Sequence, residues 1–77
     1  MENNKSEAQK NQEQEPILQF FQFEHLPEHL KVTSIFFFEL ACKLVATLPR
    51  NPERTVALRK LLESKDCAVR ALIYKAG

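Results

Sequence analysis

The segment Leu48-Pro49-Arg50-Asn51-Pro52-Glu53 decides the fold, because it ends one helix and begins another within a few residues. Proline disfavours helical geometry in the residue before it, so Pro49 ends the first helix at Leu48. Asn51 is a favoured N-cap, and Pro52 suits the first helical position. Glu53 then lies in the first turn, where the helix dipole stabilises an acid. Such a short connection makes the two helices antiparallel neighbours, so the sequence predicts a helical hairpin.

Each side of this segment has the apolar spacing of a long helix. Pro27 and Glu28 begin the first, which reaches Leu48 without a Gly or Pro and is about 20 residues, or ~30 Å, long. Its apolar stripe consists of Leu30, Phe37, Leu40, Ala41, Leu44 and Leu48. The second helix is predicted from about Pro52 to Tyr74, and Lys65 interrupts its apolar series. That series consists of Leu58, Leu62, Val69 and Leu72, with Leu61 and Ala68 in an adjoining row.

Both helices also carry apolar residues away from these stripes, which a simple hairpin cannot cover. These residues are Ile35, Phe36, Phe38, Cys42 and Val45 on the first helix and Val56, Ala57 and Ile73 on the second. Large unpartnered apolar faces mark interaction surfaces, and closed symmetry is the usual form of self-association. The predicted fold class is therefore all-α, an antiparallel helical hairpin assembled as a homo-oligomer.

The N-terminal region divides into an arm and an aromatic lead-in. Residues 1–16 are rich in Asn, Gln, Glu and Lys, lack an apolar period and are predicted to be a disordered arm. Residues 17–77 form the hairpin domain. It begins with Ile17-Leu18-Gln19-Phe20-Phe21-Gln22-Phe23, which we expect to be a short extended segment lying across a helical surface.

Length and charge limit the function classes. A folding unit of roughly 60 residues buries only ~60% of its unfolded surface, so a partner is expected to stabilise it. No run of about 18 apolar residues predicts a membrane span, and no signal region follows the N-terminus, so we expect a cytosolic protein. The pI of 7.8 disfavours duplex DNA binding, although residues 50–77 hold seven Lys and Arg against three Asp and Glu. Cys42 and Cys67 are interpreted as small core residues.

The sequence contains no recognisable catalytic arrangement. It has one glycine, Gly77, and hence no phosphate loop, and no Ser or Thr is paired with a His at a useful spacing. His25 and His29 could share a helix face, but a third metal ligand is not evident. We therefore expect a protein that is not an enzyme and has no metal or cofactor.

A binding surface is the remaining hypothesis. Aromatic faces stack on bases and guanidinium groups grip phosphates. The candidates are Phe20, Phe21 and Phe23 before the helices, and Arg54, Arg59, Lys65 and Arg70 on the second helix. The alternative, which spacing alone favours, is that the phenylalanines are core residues and the basic residues a solvated face.

Three runs of the chain resemble a known family: FQFEHLP at 21–27, LPRNPERTVALRKLLE at 48–63 and KDCAVRA at 65–71. The resemblance is to small phage proteins with a helical-hairpin domain. That family includes sponges against cyclic-oligonucleotide-based antiphage signalling systems (CBASS), and a related hairpin occurs in a Thoeris anti-defence sponge. The resemblance covers residues 21–74.

The resemblance implies that the protein binds cyclic di- or trinucleotides, such as cyclic GMP-AMP or cyclic tri-AMP, without cleaving them. Binding would occur between subunits of a compact assembly, usually a hexamer, in the cytoplasm of the bacterial host. The host effector is then deprived of its activator.

The resemblance also implies ligand-binding roles for five residues. Phe23 corresponds to a Tyr that stacks on a base, and His25 follows at the motif's place. Arg70 is the phosphate-contact candidate, while Thr55 and Arg59 match the motif and could serve binding or helix packing. The chain departs from the family where Ile35-Phe36 follows Ser34 in place of the expected Lys-Pro, which puts a family ligand contact and the ligand preference in doubt.

Two other functions fit the residues. One is a homo-oligomeric adaptor that binds a host protein through exposed apolar helix faces. The other is a small single-stranded nucleic-acid binder, for which a steep salt dependence with long polynucleotides is the expected signature.

Overall fold

The computed structural model describes residues 15–76. In this part of the chain, all regular secondary structure is helical. A 3₁₀ helix spans Pro16–Phe21, α1 spans Glu28–Thr47 and α2 spans Pro52–Ile73. The two long helices pack against each other, and the 3₁₀ helix packs against both. The predicted all-α hairpin is confirmed, with each helix within about a residue or two of its expected ends, which is the usual uncertainty of helix boundaries.

The turn between the helices has the predicted chemistry. The Asn51 side chain accepts a hydrogen bond from the Arg54 backbone N–H at 2.9 Å, which satisfies one of the donors left free at a helix start. Pro52 and Glu53 occupy the first turn of α2. Leu48 is extended, with φ −96° and ψ 143°, as expected before Pro49. At the start of α1, Pro27 is the N-cap residue instead of the first helical residue.

The lead-in departs from the extended segment that was predicted, because Pro16–Phe21 forms a 3₁₀ helix. In this helix, residues three apart eclipse each other. Leu18 and Phe21 consequently share a face, and both side chains are completely buried. The alternation at Phe21 and Phe23 suggested a strand, but the spacing of Leu18 and Phe21 is the one that determines the packing. The lead-in does lie across the helices, as expected.

The core lies where the lead-in meets the two helices. Its fully or nearly buried members are Leu18, Phe21, Ala41, Val45 and Leu58. Ser34, Ala41 and Val45 lie within about 40° of one another around α1, and all three are buried. Leu40 and Leu48, which were assigned to the α1 stripe, are instead substantially exposed, while Val45 is buried. The docked lead-in shifts the buried face of α1 toward Val45.

Arg54 is a buried structural residue, in contrast to its predicted place in a phosphate-binding set. Its Nη1 donates hydrogen bonds of 3.2 Å to the backbone oxygens of Val45 and Leu48, near the end of α1. Its Nη2 forms a 2.7 Å ion pair with Glu15, whose side chain is largely buried as well. One guanidinium thus joins both helices to the residue preceding the 3₁₀ helix.

The predicted arm, residues 1–16, falls mostly outside the described residues. The two of its residues that are described, Glu15 and Pro16, belong to the folded unit through the Arg54 ion pair and the 3₁₀ helix. The folded unit therefore extends at least two residues N-terminal of the boundary expected at residue 17.

The cysteines are not the core residues that were predicted. Cys42 is half-buried and Cys67 is exposed. Small size and a helical neighbourhood suit a core position, but Cys67 lies on the side of α2 that turns away from α1 and the lead-in.

Several large apolar side chains of the described chain are exposed to solvent. They are Phe20, Val32, Phe36, Leu40, Leu48, Val56, Leu72, Ile73 and Tyr74. Val32, Phe36 and Leu40 follow one another at four-residue steps and form an apolar row on α1. Among the described helices, none combines the length and the apolar character that crossing a membrane requires.

Candidate functional site

Two open grooves flank the lead-in where it crosses α2. The first, which we call the Arg70 groove, has a volume of about 340 Å³ and lies toward the C-terminal half of α2. The second, the Arg59 groove, has a volume of about 310 Å³ and lies toward the N-terminal half. Gln19 and Phe20 line both grooves. The 3₁₀ helix therefore forms a wall that the two grooves share.

The Arg70 groove combines apolar side chains with charged ones. The lead-in contributes Phe20, the turn before α1 contributes His25, and α2 contributes Lys65, Asp66 and Arg70. Lys65 and Asp66 form a 3.2 Å ion pair, and only 12% of the Lys65 side chain is exposed. Arg70 is exposed, and its Nη2 donates to the Cys67 sulfur at 3.2 Å. Arg70 thus keeps most of its hydrogen-bonding capacity for a ligand, because a guanidinium has five donors.

The Arg59 groove is formed by the start of the lead-in and the first half of α2. Thr55, Arg59 and Leu62 line it from α2, and Glu15 and Ile17 line it from the other side. The Glu15 carboxylate is engaged by Arg54. Within residues 15–76, no carboxylate forms an ion pair with Arg59, which is exposed. An anionic ligand would find a free guanidinium here.

The grooves bring together four of the five predicted site residues in two pairs. His25 and Arg70 line one groove, and Thr55 and Arg59 line the other. Arg59 and Arg70 are eleven positions apart, which places them about 20° apart around α2 and about 16 Å apart along it. Both guanidinium groups therefore emerge from one face of the helix, on either side of the lead-in.

Phe23, the fifth predicted site residue, lines neither groove. Its ring packs edge-to-face on Phe38 of α1, with centroids 5.5 Å apart and an interplanar angle of 66°. Such a contact stabilises aromatic pairs beyond the area they bury. In the single chain, Phe23 is thus half-buried in a contact with α1.

Sequence reasoning did not assign Gln19 or Asp66 to the site, and it named Phe20 and Lys65 only as general candidates for a binding surface, outside the five residues that the resemblance implies. The sequence did indicate that Lys65 lies near the buried face of α2, because this residue interrupts the apolar series of the helix. Phe20 had a signal as well, since it lies off the face that Leu18 and Phe21 share in a 3₁₀ helix. Gln19 is oriented by a 3.0 Å hydrogen bond from Nε2 to the Pro16 backbone oxygen, which leaves its side-chain oxygen as an acceptor.

The groups that line the two grooves are suited to binding an anion with flat apolar parts. Among residues 15–76, no three His, Cys, Asp or Glu side chains are grouped so that they could hold a metal ion. Each groove instead offers a guanidinium beside the exposed Phe20 ring. This arrangement suits a ligand with both negative charge and flat apolar groups.

Comparison with known proteins yields no relative, since the chain matches neither a family model nor a curated protein nor a solved structure.

Proposed function

We propose that this protein is a non-catalytic sponge of phage origin that sequesters cyclic di- or trinucleotide messengers in the cytoplasm of the bacterial host. The observation that carries the proposal is the pair of grooves flanking the lead-in. Each contains one of the predicted guanidinium groups, and both share the exposed ring of Phe20. The antiphage signalling that depends on such messengers is then blocked.

The chemistry of the grooves matches the parts of a cyclic nucleotide. Each phosphate can accept charge-assisted hydrogen bonds from Arg59 or Arg70, and such bonds are roughly twice as strong as neutral ones. Stacking of a base on an aromatic ring contributes about 1–3 kcal/mol. Sequestration requires a Kd below the messenger concentration, and a nanomolar Kd corresponds to about −12 kcal/mol.

The size of the grooves favours a site completed by a second subunit. At about 340 and 310 Å³, each lies at the low end of the range for small-ligand pockets. Both are open, so a single chain leaves much of a bound dinucleotide in water. The exposed apolar side chains of α1 and of the C-terminal end of α2 offer a surface for self-association. We therefore include a homo-oligomer, a hexamer by resemblance, in the proposal.

The deciding experiment is isothermal titration calorimetry of the full chain against cyclic GMP-AMP, cyclic di-AMP, cyclic di-GMP and cyclic tri-AMP. The expected result is nanomolar binding, with the ligand recovered intact by chromatography after denaturing the protein. Light scattering of the same sample reports the oligomer mass. Recovery of a cleaved ligand would identify an enzyme, and absence of heat from a folded oligomer would overturn the sponge.

Variants of two exposed cations on α2 provide the matched control. Arg70→Ala removes a groove cation, whereas Lys60→Ala removes a cation that pairs with Glu63 and lines neither groove. The charge of the chain falls equally in both. Loss of affinity in the first alone is expected, while equal losses would indicate a general effect of charge.

A second function, an adaptor that binds a host protein, is favoured by the apolar row on α1. Phe36 at the centre of this row is 65% exposed. Phe36→Asp should abolish capture of a host protein if the row is an adaptor surface, and light scattering shows whether the oligomer is lost instead. In a sponge, the same variant changes only the assembly and the affinity for cyclic nucleotides.

A further inference from the structure

Phe20 has the position of a binding residue although it lies outside the three sequence runs that carry the family resemblance. Its neighbours in the 3₁₀ helix, Leu18 and Phe21, are completely buried, whereas Phe20 itself is 58% exposed. The ring is consequently held between the two grooves by neighbouring side chains that are packed in the core. A side chain whose support is fixed by the core loses little conformational entropy when a ligand binds.

The two guanidinium groups flank this ring from the same face of α2. Arg59 lies in one groove and Arg70 in the other, about 16 Å apart along the helix. Phe20 and Gln19 are the residues that both grooves have in common. The ring is thus shared by two grooves, each of which contains one of the two cations.

We propose, on the basis of the proposed function, that one cyclic dinucleotide straddles Phe20 and engages both grooves. A base stacks on the Phe20 ring, one phosphate faces Arg59 and the other faces Arg70. The small volume of each groove is then explained, because each receives part of the ligand. Phe23 contributes to the fold through Phe38 and does not supply the stacking ring.

The sequence permits a direct optical test, because the chain contains no tryptophan. Phe20→Trp introduces a single indole into the shared wall, and a stacked base quenches indole emission. Titration of this variant with cyclic GMP-AMP should give saturable quenching with the stoichiometry found by calorimetry. Phe23→Trp is the matched control, and its emission should change far less.

A substitution series at Phe20 separates stacking from packing. Stacking predicts that Trp and Tyr retain the affinity and that Leu and Ala both reduce it, by about tenfold to a hundredfold for one base. If Leu instead retains full affinity, Phe20 is only an apolar filler and the proposal is wrong. Light scattering must show the same oligomer mass for each variant, and a loss of affinity that follows dissociation would also overturn it.

The bridging geometry is tested by Arg59→Ala and Arg70→Ala, measured singly and together. One ligand touching both guanidinium groups predicts that each variant lowers affinity while the number of ligands per subunit stays constant. If each variant removes one class of sites and leaves the other intact, the grooves bind separately and bridging is wrong. If the wild-type protein binds no cyclic nucleotide at all, the proposed function fails first and bridging fails with it.

Discussion

Two faces of α2 hold the same kinds of residue and use them in opposite ways. Arg54 and Lys65 lie on the stripe that faces the core, near Leu58 on the helical wheel, and their side chains are almost fully covered, although Lys65 also lines the Arg70 groove. Arg59 and Arg70 lie on the groove face and are exposed. A cation on the apolar stripe binds backbone oxygens or a carboxylate and so stabilises the fold. A cation on the groove face keeps its donors for a ligand.

The largest effect is expected when a cation is removed from the core-facing side of α2. Arg54→Ala leaves Glu15 without its partner and removes the bonds to Val45 and Leu48, so the free energy of unfolding should fall by about 3 kcal/mol. Urea denaturation followed by circular dichroism measures it. Because the Arg54→Ala variant could fail to fold, Arg54→Lys serves as a second test. Lysine keeps the positive charge but lacks the planar guanidinium group that bonds several acceptors at once, so an intermediate loss of stability is expected. Unchanged stability in Arg54→Lys and Arg54→Ala would refute the structural role.

The second-largest effect is expected when a cation is removed from the groove face of α2. Arg70→Ala should lower the affinity for the cyclic nucleotide by about 2 kcal/mol, or roughly thirtyfold, the value of a charged hydrogen bond. Its stability should change by less than about 0.5 kcal/mol, because the side chain is exposed. Calorimetry and urea denaturation on one preparation give both numbers. Full affinity in this variant would remove Arg70 from the site.

Ser34 on α1 differs from the buried cations of α2, because it is a buried polar group that has no hydrogen-bond partner within residues 15–76. Its side chain is completely buried, and its hydroxyl makes no hydrogen bond within the described chain. Ser34→Ala should therefore raise the free energy of unfolding by about 1 kcal/mol, since an unsatisfied hydroxyl is removed. Thermal denaturation would show the gain as a higher Tm. A loss of stability would mean that the hydroxyl has a partner in the assembled protein.

The smallest effect concerns the acid that lies among the groove cations. Asp66→Asn removes a negative charge from the Arg70 groove and releases Lys65 from its ion pair. Affinity for an anionic ligand should rise about threefold at low salt, and the gain should vanish near 1 M salt, where charges are screened over about 3 Å. Glu63→Gln, on the same helix but outside both grooves, should leave the affinity unchanged. A decrease in affinity would show that Asp66 accepts a hydrogen bond from the ligand.

The sequence predicted those parts of the fold that local chemistry controls. Asn51, Pro52 and Glu53 act on the backbone within one turn, so their effect is readable without the rest of the chain. The burial of Arg54 is different, because it depends on an ion pair with Glu15, which lies 39 positions earlier in the chain. The wheel position of Arg54, four residues before Leu58, was the available signal, and it was outweighed by the tendency of arginine to be exposed.

The candidate site was predictable in part for the same reason. Thr55, Arg59 and Arg70 are spaced along one helix, so periodicity places them on one face. Phe20 and Gln19 join them only because the lead-in crosses α2, and that crossing is tertiary information. The alternation of Phe21 and Phe23 favoured an extended lead-in, whereas burial of Leu18 with Phe21 selected a 3₁₀ helix. The local preference was overridden by packing.

The ion pair between Glu15 and Arg54 has a consequence for the lifetime of the grooves. The hairpin forms from contacts close in sequence, whereas docking of the lead-in must close a long loop, so we expect it to form last and open first. Undocking of the lead-in would move Gln19 and Phe20 away from α2. Both grooves would then be lost, although α1 and α2 would stay packed against each other. Hydrogen exchange at Phe21 and Gln22 would then be faster than in the long helices, and bound nucleotide would slow it. The residence time of a captured messenger would in that case depend on the ion pair that Glu15, in the wall of the Arg59 groove, forms with Arg54.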